Sequence, residues 1–132
     1  MRILSTALGG AALLAVSALP SPSQPPRAQS GSEQFRQGRA VFAETCAMCH
    51  GDAGRGGPAY ANPIWGPGAQ IAKYRTAQGL FEYHQMLMPF DDPSRVPDDA
   101  KWAVTLYVLA NHGVLPADGT LGPQNAGTVQ IR

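Results

Sequence analysis

Residues 46–50 read Cys-Ala-Met-Cys-His, and the two cysteines of this run are the only two in the 132-residue chain. Two thiols three positions apart, with a histidine directly after the second, form the spacing used for c-type haem attachment. The thiols add across the two vinyl groups of the macrocycle, and one short turn of backbone spans the haem edge. The imidazole that follows reaches the iron from the same side, as a proximal axial ligand. Cys46, Cys49 and His50 are therefore the leading candidates for cofactor binding. One covalent haem c per chain is expected.

Other uses of the motif fit the chain less well. A disulfide-exchange pair belongs beside a βαβ pattern, and no alternation of strands and helices is visible. A structural zinc site wants four Cys or His ligands at paired spacings, whereas His84 and His112 stand alone without a second cysteine pair. A disulfide between Cys46 and Cys49 would close too small a loop to add much stability.

The N-terminus points the same way. Met1-Arg2 is a short positive segment, Ile3 to Leu19 is apolar and rich in small residues, and Val16-Ser17-Ala18 suits a cleavage site. This is the pattern of a secretory signal peptide, too short and too rich in Gly and Ala for a membrane span; the alternative is a retained single-helix anchor. Residues 1–28 are read as signal and processing region, 29–115 as one domain and 116–132 as an extended, loosely packed tail. A periplasmic location follows, with no stable membrane span after cleavage. About 100 mature residues make one small domain with one core, to which a covalent haem would contribute much of the apolar interior. Loss of Arg2 and Arg27 takes the formal charge from +1 to −1. No basic patch interleaved with aromatics is present, which argues against nucleic acid as a partner.

Three helices and long loops are expected. The first runs from about Ser32 to Cys46, with Ser32 as N-cap, Glu33 at the positive end of the dipole and Gly38 four residues before Phe42. A mid-helix glycine costs about 1 kcal/mol against alanine and usually serves close packing. Gly, Pro and Asn dominate from Gly51 to Lys73, so this loop would wrap the haem. The second helix covers Thr76 to Leu87 and ends at Pro89. The third runs from Pro97 to about Asn111, with Asp98 and Asp99 in its first turn and Gly113 as its stop.

A helix with Gly38 and Phe42 leading into the attachment motif, then a loop, a Met88-Pro89 pair and a helix with Val104 and Tyr107, resembles a class I c-type cytochrome. The resemblance covers roughly residues 33 to 115. It implies an all-α fold, first and last helices crossing at the glycine, and a His/Met-ligated haem that carries single electrons. Within that family, Leu80-Phe81-Glu82-Tyr83, Met88-Pro89-Phe90-Asp91 and Ala103 to Leu109 are similar to the cytochrome subunits of periplasmic sulfite and sulfur dehydrogenases. Those subunits serve molybdenum-dependent oxidation of sulfur compounds, passing electrons to a downstream cytochrome or oxidase. The implied role is an electron carrier, a non-catalytic subunit of an oxidoreductase complex.

The resemblance also assigns site residues. Met88 would be the sixth ligand, its thioether presented from a loop stiffened by Pro89, and the metal ligands would be His50 and Met88. Met86 is the rival, although its helical spacing from Leu80 and Tyr83 suits a core position, and His84 is a bis-His alternative or a solvated surface residue. Pro58 would offer its carbonyl to the His50 Nδ1–H, a bond that fixes ring orientation; the alternative is an ordinary loop proline. Tyr60, Trp65, Lys73, Tyr74 and Arg75 are candidates to pack on the haem or pair with its propionates. With both axial positions filled, the chemistry is outer-sphere electron transfer. A displaceable methionine would instead make a haem-based sensor or peroxidase.

Overall fold

The computed structural model describes residues 30–132. The signal peptide read in residues 1–28 lies outside the described residues. Among the described residues the secondary structure is helical, apart from one isolated antiparallel bridge between Thr76 and Gln130.

The first helical run is continuous from Gly31 to His50 and has three parts. An α-helix, α1 (Gly31–Val41), carries Glu33 in its first turn and Arg39 in its last, both favourable to its dipole. A single π-helical turn, Phe42–Cys46, follows, and its Ala47 N–H donates back to the Phe42 carbonyl. A short α2 (Ala47–His50) ends at Gly51, whose φ of 77° reverses the chain. The run begins one residue before the predicted start and continues through the attachment motif.

α3 (Ala77–Leu87) and α4 (Asp98–Asn111) lie close to their predicted spans. Thr76 caps α3: its Oγ1 accepts from the Gly79 N–H at 3.1 Å. Thr76→Ala is expected to cost about 1 kcal/mol, seen as a lowered urea midpoint at unchanged slope. α4 is apolar almost all round, so it runs through the middle of the molecule. Ala103, Thr105, Leu106 and Leu109 are completely buried along it.

Gly38 fixes how α1 meets α4. A Cβ at that position would sit 2.0 Å from the Ala103 carbonyl oxygen and 2.9 Å from the Tyr107 Cβ. The crossing is walled by aromatics, with Phe35 and Phe42 centred 5.2 and 5.5 Å from the Tyr107 ring. Trp65 closes the group, 4.9 Å from Phe42 and edge-on to Tyr107. Trp65 is thus a core residue rather than a cavity residue.

The tail departs from expectation. Leu121, Ala126 and Ile131 are buried in the same core as α1 and α4. Gln34 on α1 donates to the Leu121 carbonyl and accepts from its N–H, at 2.7 and 2.9 Å. Ile131 donates to the Arg75 carbonyl and Ala77 to that of Val129. Residues 116–132 are not loosely packed: three well-spaced apolar residues anchor a stretch whose polar, Gly-rich composition concealed them.

The loop after the attachment motif folds on itself. The Arg55 guanidinium donates to the carbonyls of Trp65 and Pro67, and Gly54, at φ 61°, lies flat against the Trp65 indole where a Cβ would clash. Among the described residues no helix is long and apolar enough to cross a membrane.

Candidate haem cavity

These elements enclose a cavity of about 670 Å³, within the range of roughly 300–1,000 Å³ usual for cofactor clefts. Cys46, Cys49 and His50 line it from the end of the first helical run. Val41, Phe42, Leu80, Val104 and Val108 supply apolar wall from α1, the π turn, α3 and α4. His84 and Met88 line it from the last turn of α3 and the residue just after it. Two thiols, two imidazoles and, at Met88, a thioether outside the attachment motif line one apolar cleft, a donor set that fits a covalent, axially ligated haem.

The thiols are not joined to each other. Burial, and then the neighbouring Cys49, push the Cys46 thiol up to about 11, so it is held protonated. Burial alone lowers His50 from its ordinary value, favouring the neutral imidazole that can bind a metal. The His50 ring meets Tyr60 edge-on at 5.1 Å.

Its Nδ1 is buried and has no hydrogen-bond partner. The expected bond to the Pro58 carbonyl is therefore not formed, and Pro58 is exposed and outside the cavity. The Gly-rich turn fixes this path: Gly56 N–H bonds the His50 carbonyl and Tyr60 N–H that of Cys49, and Pro58 is left exposed on the stretch between them. Within this loop Pro63, not Pro58, lines the cavity.

Among the methionines, Met88 is half-buried on the wall, whereas Met86 is 65% exposed and outside it. The core position expected for Met86 is thus corrected. α3 packs on α4 through Ala77, Leu80 and Phe81, which turns Met86 to solvent. Tyr60, Lys73 and Tyr74 line the cavity; Trp65 and Arg75 do not.

His84 is not a solvated surface residue. Its Nδ1 lies 2.8 Å from Oγ1 of the fully buried Thr105, and it shares the cavity with His50. Burial, with His50 and Lys101 nearby, lowers it to about 4. A residue that sequence reasoning missed is Lys101. Only 3% exposed, it sends its ammonium to the carbonyls of Gln85 and Pro93 at 3.0 and 2.6 Å, which bracket the Met88 segment. Its place in the α4 apolar stripe, between Ala100 and Trp102, was the available signal.

Residues 33–108 match the family model described as cytochrome c oxidase, cbb3-type, subunit III. A thiosulfate dehydrogenase of Stutzerimonas stutzeri (strain A1501) is 30% identical over 92 aligned residues, covering 63% of this chain. The chain spans 29% of that protein's length. The structure is similar to that of the sulfane dehydrogenase SoxCD from Paracoccus pantotrophus, with a TM-score of 0.65 and 25% identity over 89% of this chain and 67% of that one. The all-α fold is that of a class I cytochrome c, and the cofactor is covalently bound haem c. The chain belongs to the c-type cytochrome family represented by cytochrome c oxidase, cbb3-type, subunit III.

Proposed function

We propose that this chain is an exported, periplasmic one-electron carrier that takes electrons from a molybdenum-dependent dehydrogenase of sulfite or another sulfur compound and passes them to a cytochrome or oxidase. Haem c, when attached, supplies the one-electron chemistry. Cys46 and Cys49 hold it by thioether bonds, and each thiol contributes its S–H across one vinyl double bond, with no net oxidation. His50 and Met88 are the residues that would ligate its iron. The observation that carries this reading is the placement of Cys46, Cys49, His50 and Met88 around one apolar cavity, with Met86 turned out to solvent. Filling both axial positions from the protein leaves outer-sphere transfer as the available chemistry. A likeness to a sulfane and a thiosulfate dehydrogenase supports a sulfur-compound donor.

Docking would use the cavity mouth. Phe90, next to Met88-Pro89, is 86% exposed, and Met48 within the attachment motif is 68% exposed. Both line the cavity, so the apolar rim is continuous with the cofactor cleft and suits brief contacts of small area.

The test is spectroscopic. Holoprotein made with haem-attachment machinery should show a sharp reduced α-band and, when oxidised, the weak far-red band of thioether-to-iron ligation. Met88→Ala should abolish that far-red band. Its persistence would move the distal ligand away from Met88, and a high-spin wild-type protein that binds CO would replace the carrier by a sensor or peroxidase.

A further inference from the structure

The distal wall carries a second donor. His84 lies in the last turn of α3 and Met88 directly after the helix, its N–H bonded to the His84 carbonyl at 3.1 Å, and both line the cavity that holds His50. The protonation of its ring is fixed by its neighbours. Thr105 Oγ1 donates its single proton to the Lys101 carbonyl at 2.7 Å, so towards His84, 2.8 Å away, it acts as an acceptor. His84 Nδ1 must then carry the N–H, and Nε2 is left with a bare lone pair.

Orientation follows from burial. Thr105 is fully buried and does not line the cavity, so the Nδ1 edge of the ring points into the core. The far edge, which carries Nε2, faces the cleft. Metal-bound histidines nearly always donate their second N–H to a protein acceptor, which holds the ring and raises its basicity. Of the two cavity histidines, His84 has this support, whereas the Nδ1 of His50 is buried without a partner.

We propose that His84 is a reserve distal ligand, whose Nε2 takes the sixth iron position whenever the Met88 thioether leaves it. This rests on the His50/Met88 reading and adds to it. In the exchange an iron–sulfur bond breaks and an iron–nitrogen bond forms; no proton moves, because Nε2 already lacks one, and no electron is transferred. Ferric iron, the harder state, favours the imidazole and ferrous iron the softer thioether. The ferric form is thus the one in which His84 most readily takes the site once Met88 has left it, and the bis-His form has the lower potential. Its effect is to keep the iron closed to CO and peroxide when the methionine is lost.

The experiment compares the wild type, Met88→Ala, His84→Leu and the double variant as covalent holoproteins matched by far-ultraviolet circular dichroism. Expected for Met88→Ala is a low-spin ferric spectrum without the thioether band. Its ferrous form should bind CO about tenfold more slowly than the double variant, which should be high-spin. A high-spin Met88→Ala protein overturns the proposal by itself, even where the double variant does not fold. So do identical spin states and CO rates in the single and double variants. A thioether band that survives in Met88→Ala overturns the proposal and the Met88 assignment together, which separates the two failures.

Discussion

Gly38→Val is expected to destabilise the protein by about 3 kcal/mol or more, enough to reduce the folded-to-unfolded ratio over a hundredfold. The added Cβ would meet the Ala103 carbonyl oxygen at 2.0 Å, and backbone cannot rotate aside as a side chain can. α1 and α4 would have to separate, opening the Phe35, Phe42 and Tyr107 cluster that seals the crossing. Gly38→Ala should show the same effect at smaller size, despite alanine's better helix propensity. Urea unfolding of the two variants against the wild type measures it. An alanine variant as stable as the wild type would mean that the crossing is not held at this distance.

Lys101→Met should have the second largest effect. Methionine keeps most of the buried stem but withdraws the donor shared by the Gln85 and Pro93 carbonyls. Leaving two such groups poorly satisfied costs about 2 kcal/mol or more. The loss falls on one place, because these carbonyls stand on either side of Met88 and the ammonium ties the intervening loop to α4. Loosening that tie should weaken the thioether band of the oxidised holoprotein and, in a His84→Leu background that removes the competing side chain, raise its affinity for added imidazole about tenfold. An imidazole titration beside an unfolding curve separates the local effect from the global one. Unchanged imidazole affinity would show that the loop is held by other means.

The helices were legible because their signals are local. Thr76, Pro97 with the Asp98-Asp99 pair, and Gly113 mark ends by side-chain chemistry that acts within one turn, and α3 and α4 begin and end close to those marks. The all-α cytochrome fold and the haem c cofactor followed from one pentapeptide and the Met88-Pro89 pair. Long-range pairings were less accessible. Pro58 sits at a plausible spacing, but the path of residues 51–60 is decided by backbone bonds among glycines, and Pro58 is left exposed. Met86 shares the helical period of buried neighbours yet lies at the edge of the stripe, where one residue of phase separates core from solvent. The burial of residues 121–131 depends on Gln34, 87 positions away from Leu121, a distance at which no periodicity carries information. Lys101 and His84 look like surface residues in composition; only the folded neighbours show that one is an anchor and the other a tethered imidazole.

The π turn at Phe42–Cys46 has a geometric consequence. An α-helix advances about 100° per residue, and a π turn carries one residue more than the α-helical path, so everything after it is re-phased by that angle. Up to the first residue of the turn, Phe35, Gly38 and Phe42 address α4; from its last residue onward, Cys46, Cys49 and His50 address the cleft. A single rod therefore points one edge at protein and another at the macrocycle. The extra residue works as an indexing step between the two, so that the helix crossing and the placement of the thiols are each satisfied without compromise.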